Sequence, residues 1–169
     1  ASEWSVMAKG CEQRVQALNA FLHDIYHEQH ILKAGIIPPE QILTNEHYQA
    51  AMQGLDLPHG IYAHIAGIDL VRHGDGTYYV LEDNLRTPSG VSYMLENRKM
   101  TERLFPELLA QHNVLPVAHY PDYLKSTLLE ASAKNAVNIA VLTPGRFNSA
   151  FFEHAFLARS MGVNLVSGN

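Results

Sequence analysis

The chain has 169 residues, 47% of them apolar, and a formal charge of -5 with no cluster of Lys or Arg. That length can bury a core in one ordinary domain or in two incomplete pieces of a larger protein, and the lack of a basic patch argues against nucleic acid or an anionic membrane as the main partner. One cysteine, Cys11, excludes an internal disulfide and favours a reducing compartment, the cytosol, where Cys11 is expected to be a buried thiol.

No apolar run is long enough to span a membrane, and the first residues lack the basic-then-apolar pattern of a signal peptide. Because residue 1 is Ala, the chain is expected to begin inside a longer reading frame.

From Glu3 to about Leu32, apolar residues recur at three- and four-residue steps (Trp4, Met7, Cys11, Val15, Leu18, Leu22, Ile25), which predicts one long amphipathic helix. Its His23, His27 and His30 have no thiol or carboxylate at ligand spacing, so the scattered histidines give no metal site. Ala34-Gly35 ends the helix, Pro38-Pro39 forbids its continuation, and Asn45 is placed to cap a short helix reaching about Gln53. The period then changes to that of strands: His64 to Arg72 and Thr77 to Leu85 flank Gly74-Asp75-Gly76, which predicts a β-hairpin.

After Pro88-Ser89-Gly90 the run from Val91 to about Leu104 reads as a helix stopped near Pro106, and Pro121 to about Ala133 reads as another. The segment from Leu108 to Ala118 is ambiguous. Asn138 to Thr143 (strand), Ser149 to Met161 (helix) and Val163 to Val166 (strand) form a βαβ unit. One helix cannot cover both faces of a parallel sheet, so the native protein is expected to continue beyond Asn169. The fold class is therefore α/β with α+β character in the N-terminal part. Residues 1–133 form a helical segment plus hairpin, residues 134–169 a truncated βαβ segment, and the internal boundary falls near Ala133 to Val137.

The chemistry concentrates in the hairpin. Alternation puts Glu82 and Asn84 on one face, with Tyr79, Leu81 and Asp83 on the other beside Ile68 and Leu70. A two-residue turn at Asp75-Gly76 sets Asp69 directly opposite Glu82, and a turn at Gly74-Asp75 sets it diagonal. Facing carboxylates repel, and a cation between them is the simplest relief. Asp, Glu and an Asn amide oxygen are ligands that suit Mg2+, and they are too few to fill its octahedron, leaving room for phosphate oxygens and water.

Immediately downstream, Arg86 offers a planar double donor for phosphate, and Thr87-Pro88-Ser89-Gly90 opens a helix whose first amides suit an anion. Beside this stands the plainer reading: two solvated acids, Arg86 as an ion-pair partner, Ser89 as an N-cap, Asn84 as a turn former and Asp83 as a structural residue. Arg14 either reaches a substrate carboxylate or, as is more usual for such a residue, pairs with a neighbouring acid such as Glu12 or Asp24. The turn at Thr143-Pro144-Gly145 lies at the carboxyl end of a parallel strand, where it either approaches a ligand or is purely structural, and His154 reads as a packed or capping residue.

The segments Gly67 to Arg72 and Tyr79-Val80-Leu81-Glu82-Asp83-Asn84-Leu85-Arg86-Thr87-Pro88-Ser89-Gly90-Val91-Ser92-Tyr93 closely resemble the circularly permuted ATP-grasp family. The resemblance extends to Gln13-Arg14-Val15, Ala17-Leu18-Asn19, Phe21-Leu22, Asp24-Ile25-Tyr26, Leu142-Thr143-Pro144-Gly145 and Glu153-His154-Ala155-Phe156, and so spans nearly the whole chain.

It implies an incomplete ATP-grasp-type fold followed by the start of a Rossmann-like (pre-ATP-grasp-like) βαβ unit. It also implies a parent enzyme similar to glutathionylspermidine synthetase, an ATP-dependent ligase joining a carboxylate to an amine through an acyl phosphate. Asp69, Glu82 and Asn84 match the family's Mg2+ ligands, Arg86 is the catalytic candidate, and Arg86, Ser89 and Gly90 are the nucleotide-binding candidates. The cofactors implied are ATP and Mg2+, and the partners are small-molecule or peptide acids and amines. The strands and lysines that grip adenine and the α/β-phosphates are absent here, so the chain alone is expected to be inactive. The rival readings are a non-catalytic binding or assembly module and, with less support for want of a histidine beside the carboxylates, a metal-dependent hydrolase.

Overall fold

The computed structural model describes residues 2–132 and 137–168. It is a mixed α/β structure with two small sheets, and it divides into two compact units, Ala1–Pro88 and Ser89–Asn169. The boundary expected near residues 133–137 falls, apart from Val137, outside the described residues. No described helix is long and apolar enough to cross a membrane.

In the first unit, α1 (Ser2–Tyr26) carries the predicted stripe, but it stops earlier than expected, and α2 (His30–Lys33) follows as a separate turn. The break has a local cause. Asp24 accepts the backbone amides of His30 and Ile31 at 2.9 Å each, while Gln29 takes the left-handed conformation with φ 56. A side chain that satisfies the next helix's first amides acts as its cap and ends its own helix.

The helix expected to start at Asn45 is also absent. α3 (Pro39–Leu43) precedes it, Asn45 instead accepts the His47 amide at 2.9 Å in a local turn, and Ala50–Met52 forms only one 3-10 turn. Ile25, Tyr26, Leu32 and Ala63 are the buried apolar residues of this unit, and the Tyr26 ring stacks on Tyr48 and Tyr62. Asn19 ties the 62–63 segment to α1: its Oδ1 accepts the amides of Tyr62 (2.7 Å) and Ala63 (2.9 Å), and its Nδ2 donates to Val15 O and Ala63 O.

The hairpin consists of β1 (Gly67–Arg72) and antiparallel β2 (Tyr78–Asn84). In the second unit, α4 (Val91–Leu104) has the predicted limits, and α5 (Pro106–Gln111), opened by its proline, takes in only the start of the ambiguous stretch, whose remainder to Ala118 is not helical. There follow α6 (Tyr120–Glu130), β3 (Ala140–Thr143), α7 (Phe151–Met161) and β4 (Asn164–Ser167), with β3 and β4 paired in parallel as the βαβ pattern predicted. The buried apolar residues of this unit are Leu95 of α4 and Phe156, Ala158 and Met161 of α7, two helices that touch.

Candidate functional site

The hairpin closes differently from either expected turn. The His73 amide donates to the Thr77 carbonyl at 2.8 Å, so three residues, Gly74 to Gly76, form the loop, and Gly76 sits at φ +89, where a side chain would be strained. That loop sets the register Arg72↔Tyr78, Val71↔Tyr79 and Leu70↔Val80, which carried on unchanged would place Asp69 opposite Leu81. A bulge between Asp69 and Leu70 absorbs Leu81, and the pairing resumes as Asp69↔Glu82, Ile68↔Asp83 and Gly67↔Asn84.

Asp69 therefore faces Glu82, as the first of the two expected registers had it, but by another route. The bulge also corrects the face assignment. Tyr79 pairs with Val71 on the Asp69 side, Leu81 is turned out to 74% exposure, and Val80 rather than Tyr79 lies beside Leu70.

The structure brings Asp69, Glu82 and Asn84 together on an exposed face. Asn84 Nδ2 donates to Asp69 Oδ2 at 3.4 Å and to Glu82 Oε1 at 3.1 Å. The Asp69 carboxyl is pushed above its usual range, first by its hydrogen bond with Glu82 and then by desolvation and the Glu82 charge. In this state the amide of Asn84 eases the repulsion. Turning that amide over would present its oxygen beside the two carboxylates, so the donor set suits a hard divalent cation.

Opposite this cluster, Asp83 accepts from Arg14 Nε at 2.7 Å and from Arg14 Nη2 at 2.6 Å, a two-pronged tie between strand and α1. Arg14 thus pairs with neither Glu12 nor Asp24, and it holds the Asp83 carboxyl below its usual range. Alongside, α1 and the hairpin enclose an apolar groove of about 870 Å³ lined by Met7, Cys11, Ala17, Leu70 and Val80. Cys11 is half-buried against this groove and not fully buried as expected.

Arg86 is exposed after the end of β2 in the first unit, whereas Ser89 and Gly90 open the second. Ser89 does not cap α4. The N-cap is Gly90, at φ +104, and the helix start is closed by a residue that the sequence reading did not single out. Glu153 of α7 accepts the Gly90 amide at 2.8 Å, the Ser92 amide at 2.9 Å and the Ser92 hydroxyl at 2.7 Å.

Burial pushes the Glu153 carboxyl up, but the bonds from Ser92 and Gly90 outweigh it and hold the group below its usual range. The only hint in the sequence is an acid inside the apolar run Phe151-Phe152-Glu153-His154-Ala155-Phe156. His154 is half-buried with Nδ1 2.9 Å from the Thr143 hydroxyl, a packed position. Thr143 is buried and also accepts the Gly145 amide at 3.2 Å, which fixes the turn after β3.

Residues 1–169 match the family described as "A circularly permuted ATPgrasp". The chain is 49% identical over 170 residues to an uncharacterized protein of Mycobacterium leprae, covering 99% of this chain and 30% of that protein. It is 47% identical over 169 residues to an uncharacterized protein of Synechocystis, covering 99% of this chain and 35% of that one. A Frankia alni protein named "Putative glutamate--cysteine ligase 2-3" is 44% identical over 172 residues, covering 98% of this chain and 20% of that protein. The chain thus spans about a third or less of the length of these relatives. With its whole length matched, the chain belongs to the circularly permuted ATP-grasp family.

Proposed function

We propose that the chain is part of an ATP-dependent ligase that joins a carboxylate to an amine through an acyl phosphate. Asp69, Glu82 and Asn84 hold Mg2+, Arg86 binds phosphate, and Ser89 and Gly90 contact the nucleotide. The observation that carries this reading is the pairing of Asp69 with Glu82 across the hairpin, bridged by Asn84. Packing alone does not require two facing acids, and in this fold they cost stability until a cation relieves them.

The bulge supports the same reading, since it restores that pairing after a loop that would otherwise lose it. Bound there, Mg2+ supplies charge neutralisation for the phosphoryl group that is transferred. The chain's own residues orient and hold. The Arg14–Asp83 tie fixes β2 on α1, and the guanidinium of Arg86 meets phosphate oxygens. Because Glu153 takes the Gly90 amide in this state, phosphate at that turn would have to displace it.

A second reading, a binding or assembly module that keeps the fold without catalysis, draws on that same Glu153 contact, which fills the helix terminus with the chain's own carboxylate. By itself, this third of the relatives' length is proposed to bind ATP weakly and to catalyse nothing. The test is hydroxylamine trapping with the complete protein, ATP and Mg2+. Glutamate heads the panel of acids, because of the name borne by the Frankia relative. The ligase reading expects one hydroxamate per ADP with at least one acid. ADP release without hydroxamate points to a hydrolase, and no ADP with any acid and amine pair favours the assembly module.

A further inference from the structure

The first unit contains a second grouping of metal-ligating side chains, independent of the hairpin. We infer that His23, His27 and Asp56 form a binding site for a divalent transition metal, zinc foremost, that clamps the end of α1 to the loop around residue 56. One ligand atom from each of the three lies within 4.8 Å of the others. The sequence reading left these histidines without a carboxylate because Asp56 is 29 residues from His27 in the chain. The fold returns it: the Gly54 amide donates to Tyr26 O at 2.7 Å and draws the loop back onto the end of the helix.

Three features of the arrangement suit a metal ion. His23 and His27 are one helical turn apart on one face of α1, and their rings stack at 4.1 Å with planes 1° from parallel, so the exposed His23 ring has to turn out of the stack to put a nitrogen on an ion held in the plane of the His27 ring. His27 Nδ1 lies 3.0 Å from His23 O, an acceptor only, whereas the Tyr62 hydroxyl is farther from it at 3.4 Å. The shorter contact places the proton on Nδ1. A ring nitrogen that donates to a backbone carbonyl is the usual support behind a metal-bound histidine.

His27 Nε2 then carries a lone pair aimed at Asp56 Oδ1, itself an acceptor, at 3.3 Å. Two lone pairs facing each other leave a place between them that a metal ion suits. Zinc bonds of about 2.0–2.2 Å in a tetrahedron set neighbouring ligand atoms about 3.3–3.6 Å apart, and the His27–Asp56 spacing already matches. The Asp56 side chain is 95% exposed, so its carboxylate can swing inward, and water would fill the fourth position. Two imidazoles and one carboxylate favour zinc over Mg2+, which prefers oxygen throughout.

The test is calorimetric titration of ZnCl2 into the untagged, chelator-treated full chain, with Co2+ as a spectroscopic probe. The expected result is one zinc per chain, a Co2+ spectrum of tetrahedral intensity and a rise in the unfolding temperature. Asp56→Asn, a change at an exposed position that leaves folding intact, should weaken zinc by at least about 100-fold, the upper range for losing even an outer-shell partner. His23→Ala should do the same, and far-UV circular dichroism checks both folds. Glu82→Gln should leave zinc affinity unchanged. No zinc binding, or equal affinity in the Asp56→Asn and His23→Ala variants, overturns the site. Loss of zinc on Glu82→Gln would place the ion on the hairpin and overturn it as well.

Discussion

Glu153 offers the sharpest stability test, because its contacts are short and its carboxylate is the acceptor in every one of them. Replacing it with Ala removes the acceptor for two backbone amides and one hydroxyl, where Glu153 is 6% and Ser92 0% exposed. A buried donor left without a partner costs about 1–3 kcal/mol, and water entering the vacated space recovers part of the sum, so the expected loss is about 3–4 kcal/mol. Gln keeps the shape and one carbonyl oxygen but loses the charge facing the helix terminus, for about 1–2 kcal/mol.

The sign of the pH dependence follows from the lowered carboxyl. Its contribution is fully present above the unfolded value of about 4.3 and is lost as pH falls through the folded value, and Glu153→Gln should flatten the curve in that acid window. Urea unfolding of the full chain gives the energies, and amide exchange over residues 89–95 localises them. An Ala variant costing under about 1 kcal/mol, or a Gln variant as damaging as Ala, would refute the idea that this carboxylate holds the start of α4.

Other residues carry separate expectations. Asn19→Ala deletes an acceptor of two amides and a donor to two carbonyls, and should lower stability by about 2 kcal/mol with the 62–63 segment exchanging faster. Gly76→Ala meets nothing closer than Arg72 Nη2 at 3.7 Å, so its cost of about 1–2 kcal/mol is one of backbone conformation alone, and denaturation of a Gly76→Asn variant should show a smaller loss. Arg14→Ala unties β2 from α1, and hydrogen exchange should quicken across Tyr78–Asn84 while α7 is unchanged. If the hairpin amides keep their protection, the ion pair does not anchor the strand.

What the sequence disclosed and what it hid divide along physical lines. The limits of α4 were legible because Pro88-Ser89-Gly90 and Pro106 are local punctuation, and the hairpin was legible from Gly74-Asp75-Gly76 between two strand-like runs. The break after Tyr26 was not, since it depends on a competition between helix amides and one carboxylate that periodicity cannot weigh. The loop length and the bulge at Leu81 are two departures from the expected hairpin that cancel at Asp69, so the pairing matches one of the two registers left open while the faces of Tyr79 and Leu81 do not match. Arg14 with Asp83, Glu153 with Ser92, and His27 with Asp56 join residues 69, 61 and 29 positions apart, and nothing local foretells them.

Calorimetry of ATP binding with and without Mg2+ tests most directly whether the hairpin binds the Mg2+ that accompanies ATP. In the complete protein, binding should depend on Mg2+ and should be lost in Glu82→Ala, while Asp83→Asn, altered on the opposite face, keeps the Mg2+ dependence. Equal binding by the complete protein and its Glu82→Ala variant, or binding indifferent to Mg2+, would contradict the assignment and favour the assembly module.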